Sequence, residues 1–285
     1  MGKKGSNKIL AGALLAAAGF WVYENFNIET EEYPIVSRKI PKSFDGFRIL
    51  QLSDFHNKKF GFENRYLYHK IMECDPDIII MTGDMVSREN VVLTPFYDLC
   101  KTLAAEYPVY YTVGNHELDI DDDELHEMFF RLRKYGVHLL NNEKATLTRG
   151  GSEIDLYGMW YDLRYYKDDR GNYRHHLEFD LDEMLRLVGE KVSRNYTMLL
   201  AHNPMDFPVY AEWGADLTFS GHVHGGVVRL GRRGGLLSPG RRLFPQYFAG
   251  EYKIKNRRML VSRGIGGPRL FNRPNLVVAT LRSAE

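Results

Sequence analysis

The chain has 285 residues, of which 44% are hydrophobic and 13% aromatic, with 38 basic against 37 acidic side chains. That length and apolar content support a folded domain with a sizeable core and exclude a disordered chain. A formal net charge of +1 gives no global attraction to nucleic acid, so no specific nucleic-acid partner is expected and any phosphate affinity has to be local.

The chain opens on a segment unlike the rest. Lys3, Lys4 and Lys8 precede an apolar run over residues 9–23, and Glu24, Glu29, Glu31 and Glu32 follow it. A spanning helix needs about 20 residues, with a range of about 17–25, so the run predicts a membrane-targeting helix with Asn25 and Phe26 near the interface. Lysines before it and none directly after favour a cytoplasmic N-terminus and place the remainder outside the cytoplasm. Ala16 and Ala18 offer a small-residue cleavage site, but Phe20, Trp21 and Tyr23 prolong the run, so a retained anchor is expected. Residues 1–32 therefore read as a membrane anchor or signal-anchor with a linker, and residues 45–285 as the catalytic domain.

From residue 47 the pattern alternates apolar runs with amphipathic segments. The strand-like FRILQLSD ends at Asp54, a helical period follows over 64–74, and DIIIMTGD reads as a strand buried on both faces. A second helix is expected over 92–106, leading into VYYTVGNHE, and a third over 121–135, where acidic residues suit the start and Gly136 the stop. Strands are expected at 145–148, 154–160, 196–201 and 216–219, and helices at 181–188 and 204–213. The two cysteines, Cys74 and Cys100, are too few for a disulfide framework and read as buried thiols.

Five polar blocks sit where strands end: Asp54-Phe55-His56, Gly83-Asp84, Gly114-Asn115-His116-Glu117, Ala201-His202-Asn203 and Gly221-His222-Val223-His224. In open α/β sheets ligands bind beyond the carboxyl ends of strands, so blocks from separate strands can converge on one site. Carboxylates and imidazoles suit Zn, Fe and Mn, and alternation in Asp54-x-His56 and His222-x-His224 lets one turn aim two ligands. Alone, a D-x-H triplet is expected by chance in roughly a quarter of chains this long. Chance does not explain all five blocks together.

In order and wording these blocks resemble the calcineurin-like metallophosphoesterase family, whose signature runs D-x-H, G-D, G-N-H-D/E, H and G-H-x-H. The N-terminal anchor and Ser262-Arg263-Gly264 further resemble its membrane-associated bacterial subgroup. The resemblance implies an α/β fold, a four-layer α/β/β/α sandwich of two mixed sheets, with an N-terminal membrane-anchor helix. It implies two divalent metal ions, Mn, Fe or Zn with Mn favoured. Asp54, His56 and His224 would bind one, Asp84 would bridge, and Asn115, His202 and His222 would bind the other. His116 would stay free of metal as the catalytic group that stabilises the phosphoryl group or protonates the leaving oxygen. Glu117 stands where the commonest pattern has Asp, and a carboxylate orienting His116 is expected there.

The reaction implied is hydrolysis of a phosphodiester, phosphomonoester or pyrophosphate, with a phosphorylated small-molecule or lipid substrate, such as a UDP-diacylglucosamine-type pyrophosphate. A non-catalytic, membrane-anchored metal-binding scaffold is the alternative. Residues 160–179 are long, aromatic and charged, which suggests a lid in which Trp160, Tyr161 and Arg164 contact substrate. Arg232, Arg233, Arg241 and Arg242 offer a second anion-binding stretch, for a lipid headgroup or a substrate phosphate.

Overall fold

A computed structural model of the chain describes residues 2–89, 92–168, 170–171, 177–226, 229 and 244–284. Arg232, Arg233, Arg241 and Arg242 lie outside the described residues, as do 169 and 172–176 of the aromatic segment.

Two mixed sheets stack face to face. The first runs in the order β1 (Glu29–Ser37), β12 (Asn275–Ser283), β2 (Arg48–Leu52), β3 (Ile78–Thr82), β4 (Val109–Thr112) and β5 (His138–Leu139). The second runs β10 (Gly250–Ile254), β11 (Arg257–Val261), β9 (Leu217–Ser220), β8 (Tyr196–Ala201), β7 (Ser152–Met159) and β6 (Glu143–Arg149). The central strands of each sheet are parallel, and β2, β3 and β4 share one direction, as do β7, β8 and β9.

The sequence explains the layering. Alternate side chains of a strand point to opposite faces, so an unbroken apolar run feeds two cores at once. In β3, Ile78 and Ile80 enter the core between the sheets, while Ile79 and Met81 enter an outer core under α2 (Arg65–Glu73), α3 (Thr94–Ala104) and α4 (Asp122–Tyr135). In β8, Met198 and Leu200 face inward, while Leu199 and Ala201 pack under α5 (Leu181–Val188) and α6 (Phe207–Trp213). This is the expected four-layer α/β/β/α sandwich. Asp121 caps α4 by accepting from the Asp123 N–H, three acidic residues fill its first turn, and Gly136, at φ 94°, ends it. Both cysteines are buried free thiols, as expected.

Two boundaries differ from the sequence reading. The apolar run lies within a longer helix, α1 (Gly2–Phe26), whose section from Lys8 to Phe26 is long and apolar enough to cross a membrane. The stretch expected as linker, ahead of a domain starting at 45, contains β1, which pairs with β12 along its whole length. Its acidic residues and Pro34 disguise it. As an edge strand with one neighbour it buries little, and an edge is where a strand tolerates proline.

Candidate metal centre

Every one of the five blocks lies just past the carboxyl end of a strand. Asp54 follows β2, Asp84 follows β3, Asn115 follows β4, His202 follows β8 and His222 follows β9. Because the strands that carry them run parallel within each sheet, their ends meet at one edge of the sandwich. The backbone there is bent into an unusual form. Asp54, His56, Asp84, His222 and His224 all have positive φ, between 49° and 69°. Left-handed backbone costs a non-glycine residue about 1–3 kcal/mol and is kept where the position does something. Glycines allow the close approach, since a Cβ on Gly114 would overlap the Asp84 carboxylate and one on Gly221 would overlap Ser53 and Asp54.

The side chains converge in two groups. Ligand atoms of Asp54, His56, Asp84 and His224 all lie within 4.8 Å of one another, and so do those of Asp84, His202 and His222. Asp84 belongs to both. His224 Nε2 is 3.2 Å from Asp54 Oδ1 and 3.1 Å from His56 Nε2, while His202 Nε2 is 3.1 Å from Asp84 Oδ2. His202 Nδ1 donates to the Thr82 carbonyl at 2.6 Å, which fixes the ring and leaves Nε2 facing the carboxylates. Asn115 Oδ1 and His222 Nδ1 are buried and have no hydrogen-bond partner. A buried acceptor without a donor is costly, and a cation is what satisfies such a lone pair. Carboxylates and imidazoles in two groups joined by one carboxylate fit a pair of divalent ions.

The electrostatics agree with that reading. Burial pulls the His56 and His222 imidazoles down to about 3 and His224 well below its ordinary value, so their lone pairs stay available. Burial pushes Asp54 up to about 6, with His202 opposing it and Asp84 adding to it. Asp84 is also penalised by burial, but His202 and His116 outweigh this and hold it well below the usual carboxylate range. For His202 burial disfavours the charge, yet the Asp84 and Asp54 carboxylates prevail and lift it to about 9.

His116 stands apart from both groups. Its backbone N–H donates to Asp84 Oδ1 at 2.8 Å, its Nδ1 accepts from the backbone N–H of Arg88 at 3.3 Å, and its ring lies 4.5 Å from that of His56. It faces a cavity of about 450 Å³ together with Ser87, Arg88, His56, His224 and Arg269. An imidazole at the mouth, backed by the centre but outside its ligand groups, is placed to meet a substrate.

The profile of the calcineurin-like phosphoesterase family matches residues 47–226. The chain belongs to this family. It is 27% identical to the uncharacterized metallophosphoesterase YkuE of Bacillus subtilis over 97% of this chain and 94% of the relative. It is also 27% identical to the phosphodiesterase YaeI of Escherichia coli over 82% of each chain. The UDP-2,3-diacylglucosamine pyrophosphatase LpxG of Chlamydia muridarum is 21% identical over 96% of each. The protein is thus a metal-dependent phosphoester hydrolase.

Several metallophosphoesterase residues act differently from the sequence expectation. Glu117 does not orient His116. Its carboxylate accepts from the backbone N–H groups of Asp84 at 2.9 Å, Met85 at 2.6 Å and Gly114 at 2.8 Å, tying two ligand loops together. The extra methylene of Glu gives it the reach to the neighbouring loop. Trp160, Tyr161 and Arg164 do not line the cavity. Tyr161 is buried in the outer core with Tyr165, Phe179 and Tyr210, and its hydroxyl bonds Asp206. Trp160 Nε1 bonds Asn141, and Arg164 stacks on Tyr165 near Glu183. From this segment it is Tyr166 that approaches the centre, its ring 5.3 Å from that of His222. Among the described residues of 160–179, Tyr161, Tyr165, Tyr166 and Phe179 are buried in the outer core.

Sequence reasoning also missed the support behind His224. Asn272 Nδ2 donates to the His224 carbonyl at 2.6 Å and to the Gly226 carbonyl at 2.5 Å, and Arg269 Nη1 reaches the His224 carbonyl at 3.3 Å. The last turn of α1 holds this loop in turn. Glu24 accepts from the Asn272 N–H at 3.1 Å, and Asn25 exchanges two hydrogen bonds with the Arg269 backbone, at 2.8 and 3.1 Å. The only signal in the sequence was a polar Glu-Asn pair closing an apolar run.

Proposed function

We propose that the protein is a membrane-anchored, two-metal phosphoesterase that hydrolyses a phosphodiester, phosphomonoester or pyrophosphate bond on a lipid-linked or cell-envelope substrate. The observation that carries this is the pair of ligand groups sharing Asp84 beside an unligated His116. In this reading Asp54, His56 and His224 would hold one ion and Asn115, His202 and His222 the other, with Asp84 common to both donor groups. When bound, such a pair supplies Lewis acidity at the phosphoryl oxygens and for the attacking water. The chain's own residues do the rest. Arg88 and Arg269 line the cavity and bring positive charge to a phosphate. With Nδ1 accepting from the Arg88 N–H, the His116 ring carries its proton on Nε2, which would donate a hydrogen bond to the phosphoryl or leaving oxygen, while the backbone N–H of His116 is anchored on Asp84 Oδ1.

The lipid-linked substrate is supported by α1 and by the likeness to LpxG, whose name specifies a diacylated sugar nucleotide. Lysines ahead of the apolar run support a catalytic domain outside the cytoplasm. Mn²⁺ is the favoured ion, with Fe and Zn suited by the same ligands. The test is the full chain in detergent with Mn²⁺, assayed on a chromogenic bis-phosphodiester and on a panel of nucleotide, pyrophosphate and phospholipid substrates. Turnover that disappears in Asp84→Asn supports the reading. Turnover that persists in Asp84→Asn and His222→Ala sinks it, and metal binding without any hydrolysis favours a scaffold.

A further inference from the structure

We infer that the catalytic domain itself sits in the bilayer interface, docked through two loops that flank the end of α1, so that the mouth of the metal cavity opens at the lipid headgroups. This rests on the reading of α1 as a membrane anchor.

The length of the helix carries the argument. The apolar section from Lys8 to Phe26 has 19 residues, and at 1.5 Å per residue it is about 28 Å long, against a hydrocarbon core of about 30 Å. A helix that crosses with so few residues leaves no stalk between membrane and domain. Yet its last two turns are already in contact with the domain. Phe20 packs its ring 5.6 Å from that of Phe271, Tyr23 takes a hydrogen bond from Arg273, and Phe26 packs 6.1 Å from Phe60. Phe20 lies about 9 Å along the axis from Phe26, so the loop that touches it is drawn to the depth of the lipid headgroups or below.

The exposed side chains of these loops are the ones such a position calls for. Phe271 is 59% exposed and its neighbour Leu270 40%, while Phe62 on the other loop is 72% exposed, so both loops beside the helix end present large apolar side chains. Phe62 lies on the loop whose neighbours Gly61 and Tyr66 form, with Val22, Tyr23 and Phe26, an apolar groove against the helix. Polar side chains sit among them: Lys59 is exposed, Arg273 bridges Tyr23 and Glu29, and Lys58, whose amine burial pulls down to about 7, turns to the Asn25 carbonyl at the C-terminal end of α1. Aromatic and cationic side chains around the end of an apolar helix match the headgroup region of an anionic leaflet. The loop carrying Phe271 also supplies Gly267, Pro268 and Arg269 to the wall of the metal cavity. A phosphate held at the headgroup level therefore reaches the site without its acyl chains leaving the bilayer.

Cys74 and Cys100 are both buried, so a cysteine introduced on the surface accepts a polarity-sensitive dye selectively. The full chain carrying Phe62→Cys, Phe271→Cys or, at the opposite end of the sandwich, Asn256→Cys is labelled and reconstituted into nanodiscs of mixed phosphatidylglycerol and phosphatidylcholine. Dye at positions 62 and 271 is expected to shift to the blue and to be quenched by lipids brominated near the headgroup, with the dye at 256 unaffected. Dyes at 62 and 271 that stay as wet as the one at 256, in protein that resists carbonate extraction, overturn the docking and leave the anchor standing. Protein released by carbonate removes both. Leu270→Cys repeats the measurement on the same loop if either phenylalanine variant fails to fold.

Discussion

The two ends of the sandwich each bury a carboxylate, and they satisfy it in opposite ways. At the end away from the metal centre, Asp216 accepts from the Lys39 amine at 2.9 Å, from the Thr197 N–H at 3.0 Å and from Arg257, with Lys191 4.0 Å away. The chain provides everything that carboxylate needs. At the other end Asp54 and Asp84 face imidazoles, three of which burial keeps neutral, and Asn115 Oδ1 and His222 Nδ1 have no partner at all. The backbone follows suit, with five left-handed ligand residues at the metal end. A buried acid compensated by its own chain is architecture. Buried acids that lean on titratable imidazoles, beside buried lone pairs with no donor in the chain, mark a binding site.

The largest expected effect breaks the bridge. Asp84→Asn should lower turnover by roughly 10⁴-fold, the several kcal/mol that a Lewis-acidic pair contributes, and metal analysis should find fewer than two ions per chain. His116→Ala should cost about 10²–10³-fold in turnover with metal content unchanged, because a hydrogen bond to the phosphoryl or leaving oxygen is lost and no ligand is. Loss of metal in this variant would place His116 inside the centre. At the far end, Asp216→Asn should destabilise the fold by about 1–3 kcal/mol, discounted because Lys39 and Arg257 are partly in solvent, and leave turnover per folded molecule unchanged. Chemical denaturation and active-site-normalised rates separate the two. Asn272→Ala should weaken metal affinity about tenfold by freeing the His224 carbonyl.

The contrast between the two ends also explains what could be read from the sequence. The ligand blocks were legible because each is short, uses residue types that metals select, and follows an apolar run that is plainly a buried strand. The four layers followed from the same runs alternating with helical periods. What supports the centre was not legible, because it is tertiary. Asn25 and Arg269 are 244 positions apart, and no local pattern joins them. Aromatic residues misled in the segment after β7, where Tyr161 looked like a contact surface. A sheet face covered by two short helices needs large rings to fill its core, and Tyr161, Phe179 and Tyr210 fill it. β1 was hidden because its inward-facing positions include Glu29 and Glu31, which pair with Arg263 and Arg273, so its alternation does not show as apolar against polar.

The mildest prediction asks whether the metal end is waiting for a cation in solution. Without metal, His202 titrates near 9, above its ordinary 6.5, because Asp84 and Asp54 overcome the penalty of burial. At pH 7 the imidazole is therefore protonated, and metal binding through Nε2 has to expel that proton. Calorimetric titration with Mn²⁺ in two buffers of different ionisation enthalpy should report about one proton released per chain at pH 7, falling toward zero above pH 9. Stability gives the same sign. A raised folded pKa contributes stability that is complete below about 6.5 and fades as pH rises through about 9, so the metal-free protein should lose thermal stability over that interval. The metal-loaded protein should not, since its His202 is already neutral and paired with a cation in place of a proton. If both forms lose stability alike, His202 is not the ligand that separates this end of the molecule from the self-compensated network at Asp216.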